Sequence, residues 1–291
     1  MKYLKLIALF FVIASCSSTK HISETTSKSP SVAVKTKDSI AENTKPIEEA
    51  IAEPIAIAVS KDSVSTKSEP KIENEISKSF NHNAWTALLK RHVSNQGNVN
   101  YKGFKTDRKA LLSYISSLSD NMPNDAWVKE EKLAYWINAY NAMTIDLILR
   151  HYPLKSIKDI KDPWDQRFWK LGEKWYNLNE IEHDILRKMD EPRIHFGIVC
   201  ASFSCPKLLN EAFTAKDLDQ QLTGATTGFL NDSKRNEISE NSVNLSKIFQ
   251  WFSKDFKQNG SLIEFINTYS SVDISAKAKK TFKDYNWALN E

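Results

Sequence analysis

The chain has 291 residues, 41% hydrophobic, 26% charged and 11% aromatic, with three cysteines and a formal charge of +4. These figures exclude collagen-like and disulfide-dense scaffolds and fit a soluble globular protein of one or two domains. They also average over a division: the first glycine is Gly97 and all eight tryptophans lie at or beyond Trp85, so the front quarter is not globular.

Lys2 and Lys5 precede the apolar run Leu6–Ala14, and Ser15-Cys16 follows. A basic head, a short apolar core and small residues before a cleavage point form a secretory signal over residues 1–15. The run is too short for the ~20 residues of a membrane-spanning helix. Ile13-Ala14-Ser15-Cys16 resembles a bacterial lipobox, which implies that Cys16 becomes the acylated first residue and anchors the chain to the membrane through lipid. Ser17 follows rather than Asp, and by the same resemblance this favours the outer membrane of the cell envelope. Cleavage leaves 38 basic and 36 acidic side chains, a near balance that offers no footprint for nucleic acid. Cys200 and Cys205 then remain in an oxidising compartment, where a disulfide is permitted.

From Ser17 to Ser79 the chain contains no Phe, Trp, Tyr, Gly, Cys or Met. Such a segment lacks the apolar surface to offset its ordering entropy. With Cys16 it is expected to act as a disordered tether over residues 16–79, about 45 Å in r.m.s. length as a coil.

Phe80–Glu291 holds 28 of the 31 aromatic residues, enough for one packed core. The spacing of Trp85, Leu88, Leu89 and His92 predicts a helix over 83–93, followed by a turn into an extended stretch at 97–101. Leu111, Leu112, Ile115 and Leu118 predict another helix over 109–118. The longest helix is expected over 124–151, stopped by Pro153. Asn138 and Asn141 lie inside it, where asparagine is a poor helix former, so these amides either fasten a neighbouring loop or face a site. A hairpin is expected around Gly172, then a helix over 180–188 capped by Asn179. Residues 194–200 read as an apolar strand and 201–206 as a tight loop. Thr214 and Asp217 open a further helix reaching Leu230. A short strand at 243–245, helices over 248–256 and 261–268, and a last strand at 285–289 complete the pattern. The fold class is α+β: one globular domain with helices around a small, mostly antiparallel sheet. A distant cysteine-peptidase-like or transglutaminase-like architecture is compatible with it.

Several segments resemble a family called domain of unknown function 547. They are Trp85–Leu89, Tyr135–Ala142, Leu178–His183, His195–Pro206 and Tyr285–Asn290. The resemblance brings no settled activity. It implies motif positions for Asn138, His183 and Cys200, and relatives with serine where Cys205 stands, so a disulfide or zinc site needing both thiols is not obligatory.

Two classes of function remain. In the first, Cys200 is the nucleophile of a thiol-dependent amide hydrolase or transferase acting on peptides or cell wall. A reactive thiolate needs a nearby imidazole. On a regular strand His195 would point away from Cys200, about 16 Å off. His183 is better placed as base, with Glu180 one helical turn away as its orienter. Backbone amides of Ser202 and Ser204 would face an oxyanion. In these enzyme folds, however, cysteine precedes histidine, and here the order is reversed. In the second class the domain is a non-catalytic binding or scaffold module for a peptide or glycan. Its cysteines are then structural, including a Cys200–Cys205 disulfide, and Trp164, Phe168, Trp169, Trp175 and Tyr176 stand among Arg167, Lys170 and Lys174, with half of these rings expected in the core. Cys200, Cys205, His183 and His195 match no standard zinc spacing, and no phosphate loop or dinucleotide fingerprint is present, so neither metal nor cofactor is expected.

Overall fold

A computed structural model describes residues 79–291. The signal peptide, Cys16 and the tether up to residue 78 lie outside the described residues. The described part is α+β, with helices and two small sheets. No helix among the described residues is long and apolar enough to cross a membrane.

Helices α1 (Asn83–His92), α2 (Tyr101–Thr106) and α3 (Arg108–Ser119) pack on α4 (Lys129–His151). In α4 nearly every side chain from Leu133 to Leu149 is buried, so the helix runs through the core rather than over it. It begins at Lys129, later than expected from spacing, where the Glu131 carboxylate accepts from the Val128 N–H (3.0 Å). Tyr101, expected in an extended stretch, instead opens α2, because the Asn100 side chain accepts from the Gly103 N–H (2.8 Å) and caps the turn.

The hairpin forms as expected. Strands β1 (Trp169–Leu171) and β2 (Lys174–Tyr176) pair antiparallel around Gly172, whose φ of +53° lies in the left-handed region that glycine favours. Trp169 is buried and Trp175 is exposed.

Two corrections follow this hairpin. Residues 180–185 form a single π-type turn, continued by a tighter 3₁₀ turn at 186–189. Its first amide is capped by Asn177, which accepts from the Glu180 N–H (2.8 Å), not by Asn179. Residues 194–200 are not a strand either. Ile194–Gly197 make one helical turn, α5, and the backbone then extends. The reason lies in α4: Asn141 donates to the Gly197 carbonyl (2.9 Å) and accepts from the Val199 N–H (2.9 Å). The amide thus satisfies groups that a neighbouring strand would otherwise pair.

Helix α6 (Leu218–Leu230) follows, then β3 (Glu237–Ile238) and β4 (Ser242–Leu245). Next come α7 (Ile248–Trp251), a 3₁₀ turn at Asp255–Lys257, α8 (Leu262–Tyr269) and β5 (Lys279–Phe282). The second sheet has the order β3-β4-β5, antiparallel and then parallel. Residues 285–289, expected as a strand, make only single bridges, Ser156 with Ala288 and Ser202 with Leu289. Two apolar clusters result: a large one around α4 and a smaller one of Phe196, Phe229, Phe249, Phe256, Ile266 and neighbours. The candidate site lies where they meet.

Candidate functional site

A cavity of about 180 Å³ opens at this junction. Its walls include Trp164, Trp251, Phe252, Tyr285 and Trp287, and its polar and sulfur-bearing groups include Glu182, His183, His195, Cys200 and Cys205. The indoles of Trp251 and Trp287 stack at 5.8 Å with an interplanar angle of 27°, and Tyr285 lies 4.5 Å from Trp287.

Both predicted cysteines and His183 therefore meet in one place, and so does His195. The expected separation of His195 from Cys200 rested on a strand. One helical turn at 194–197 removes that premise.

The imidazoles are held differently. His195 is buried and stacked on Phe252 at 3.9 Å. Its Nε2 donates to Asp255 Oδ2 (2.8 Å), while the Arg187 guanidinium forks onto both Asp255 oxygens (2.6 and 2.8 Å). Burial works against the Asp255 charge, but the bonds from Arg187 and His195 outweigh it and hold the carboxyl well below the usual range. Burial also pushes the His195 imidazole down, opposed by Asp255. His195 is thus a neutral, oriented imidazole whose proton sits on Nε2. His183 Nδ1 accepts from Arg187 (2.9 Å). Since a guanidinium can only donate, the neutral ring carries its proton on Nε2 and presents a donor. Burial and then the charge of Arg187 lower its pKa.

Glu180, expected to orient His183, binds Arg167 (2.6 Å) and Lys174 (3.1 Å) instead. The π-type turn accounts for this: its wider winding breaks the three-residue register that a regular helix would give. The carboxylate inside the cavity is Glu182, which accepts only from the Tyr140 hydroxyl (3.1 Å) among the described side chains. Burial pushes its carboxyl up to about 7 against the pull of Tyr140 and Arg187.

Cys200 and Cys205 form a disulfide, with Cα atoms 6.4 Å apart. Cys200 is partly exposed to the cavity and Cys205 is buried. Cys200 Sγ meets the hydroxyls of Ser202 (3.2 Å) and Tyr285 (3.3 Å) rather than an imidazole. Ser202 donates to the Tyr285 hydroxyl (2.9 Å). The Ser204 amide, expected at an oxyanion, is taken by the Asn286 carbonyl (3.2 Å) because residues 285–290 brace this loop. Asn138 exchanges two hydrogen bonds with the Phe213 backbone (2.8 and 3.0 Å), a fastening role matching that of Asn141. Asp255 and Glu182 were not evident from spacing. Asp255 stands in no motif, and Glu182 is masked by its neighbour Glu180. Among the described residues, no three His, Cys, Asp or Glu side chains gather as metal ligands.

An alignment over 118 residues, which covers 38% of this chain, gives 29% identity to the DNA-directed RNA polymerase subunit beta of Mycoplasmoides gallisepticum. The chain spans only 8% of that protein's length. No solved structure matches significantly. Part of the cavity lining carries a clearer likeness. Residues 124–230, which hold α4, the π-type turn and the cysteine loop, match the model of a family described as "Protein of unknown function, DUF547", which supports the resemblance carried by Tyr135–Ala142, Leu178–His183 and His195–Pro206.

Proposed function

We propose that this chain is a lipid-anchored protein of the bacterial cell envelope, held through acylated Cys16. Its domain captures a peptide or glycan fragment in the aromatic cavity. The observation that carries this reading is the wall of Trp251, Tyr285 and Trp287 facing a buried Glu182 and an oriented His195. Flat apolar faces beside a few convergent polar groups suit a ligand of mixed character. Titration of the chain with disaccharide-peptide fragments of cell wall should change tryptophan emission saturably. Trp287→Ala should weaken that binding by roughly tenfold, the scale of one aromatic contact. The absence of a saturable change with either glycan or peptide fragments would overturn the reading. For the anchor, an alkynyl fatty acid fed to the producing bacterium should label the protein, and Cys16→Ala should abolish the label.

A thiol-dependent amide hydrolase or transferase is the second reading, favoured by Cys200 and two imidazoles lining one cavity. The nucleophile would be Cys200 after reduction of its disulfide, and the better base is His195, oriented by Asp255. Amide cleavage should then appear only with reductant and vanish in Cys200→Ser.

A further inference from the structure

We propose that Cys200–Cys205 is a redox-active pair that exchanges disulfides with a cysteinyl thiol entering the cavity. The pair is asymmetric in the way such exchange requires. Both cysteines line the cavity, but Cys200 is partly exposed and Cys205 is buried, so Cys200 is the more open of the two to attack. Hydrogen bonds converge on the buried sulfur: the Cys200 N–H lies 3.0 Å and the Tyr285 hydroxyl 3.2 Å from Cys205 Sγ. Proton counting supports the second bond. The Ser202 hydroxyl reaches both the Tyr285 oxygen (2.9 Å) and Cys205 Sγ (3.3 Å); with its hydrogen on the nearer Tyr285 oxygen, the phenolic hydrogen is left for sulfur, Cys205 at 3.2 Å or Cys200 at 3.3 Å. A disulfide sulfur is a weak acceptor and a thiolate a strong one. These donors therefore gain most of their strength when the bond opens and Cys205 leaves as thiolate, and a better leaving group opens faster.

The incoming thiolate attacks Cys200 Sγ. A bond forms between them, the Cys200–Cys205 bond breaks, and the electron pair departs on Cys205. A second thiolate then attacks the substrate sulfur and releases Cys200. Two thiols are oxidised to one disulfide while the protein pair is reduced by two electrons and takes up the two protons. The reverse sequence, with a partner disulfide, restores the pair. A thiol would reach Cys200 through the cavity of about 180 Å³ that this residue lines. This exchange does not depend on the ligand proposed above.

The test uses the chain carrying Cys16→Ser, equilibrated in glutathione redox buffers and scored by alkylation and mass. Tyr285→Phe should lower the equilibrium constant for reduction by roughly tenfold, as expected for one hydrogen bond to a charged group. In the reduced chain, thiolate absorbance should show one cysteine ionising below the ordinary thiol range, and Tyr285→Phe should raise it. Near-ultraviolet circular dichroism checks that the variant folds. The single-cysteine chains give an independent readout: Cys205→Ser should trap glutathione disulfide on Cys200, and Cys200→Ser should leave the buried Cys205 unreacted. A cysteine-bearing peptide in place of glutathione shows by its relative rate which source of thiol the cavity prefers. Equal reactivity of the two single-cysteine chains, or a Tyr285→Phe chain with unchanged reduction and ionisation, would overturn the proposal.

Discussion

Asp146 of α4 and Glu182, bonded to Tyr140 of the same helix, are both carboxylates withdrawn from water, and the fold treats them in opposite ways. Asp146, fully enclosed, receives Arg108 twice (3.1 and 2.8 Å), Arg150 (2.7 Å) and the Trp169 indole (2.9 Å). Glu182 receives one phenol, from Tyr140, six residues before Asp146 on the same helix. The first ties α3, α4 and the hairpin together. The second is left under-compensated, so burial raises its pKa to about 7, where a carboxyl can hold or release a proton at neutral pH. Burial alone therefore does not mark a functional carboxyl. The number and charge of its partners do.

The largest effect should come from breaking the compensated site. Asp146→Ala strands two guanidiniums and an indole N–H, and should cost about 3–5 kcal/mol in urea unfolding. A loss under about 1 kcal/mol would mean that the cluster is ornamental. Next is the under-compensated site, read through pH. Because the folded value of Glu182 lies above its unfolded value, its stabilising contribution is present in acid and lost as pH rises through about 7. The unfolding free energy of the parent relative to Glu182→Gln should fall by up to about 3 kcal/mol between acid and mildly alkaline pH. His183 and His195 run the other way: burial depresses them, so their contribution is lost as pH falls. Both chains carry them, so they cancel in the difference. A flat difference across this range would place Glu182 with Asp146 as a structural carboxylate.

Asn141→Ala should cost about 2 kcal/mol by leaving the Gly197 carbonyl and Val199 amide unpaired. It should also loosen the cysteine loop, visible as faster amide exchange at Val199. Smallest is Glu180→Ala. Its partners Arg167 and Lys174 are largely exposed, so the loss should stay within about 1 kcal/mol and the pH difference assigned to Glu182 should be unchanged.

Much of the scaffold was legible because helices with one apolar face announce themselves by spacing. Trp85, Leu88 and Leu89 in α1, and the long run of α4, are examples. The same reasoning failed at 194–200, where an apolar run without polar alternation suits a strand or a buried turn equally. The deciding partner, Asn141, lies 58 residues earlier than Val199. At the site, Cys200, Cys205 and His183 were named in advance, since their residue types alone suggest chemistry. Regular helical spacing points to Glu180, and the π-type turn in which Glu182 lines the cavity instead is not written in local composition. Asp255 acquires its role only through Arg187 and His195, contacts made across 68 and 60 residues.

The brace on the cysteine loop has a bearing on when the cavity comes into being. Tyr285 follows Ser202 by 83 residues, and the Asn286, Ala288 and Asn290 backbones pair with the loop from the same segment. A nascent chain thus carries the two cysteines long before it carries the hydroxyl and the indole that shape their surroundings. Until residues 285–290 have been synthesised, the loop has neither its donor nor its wall. A bond between these sulfurs made before that segment docks would form in an open peptide, chemically unlike the pair in the finished domain.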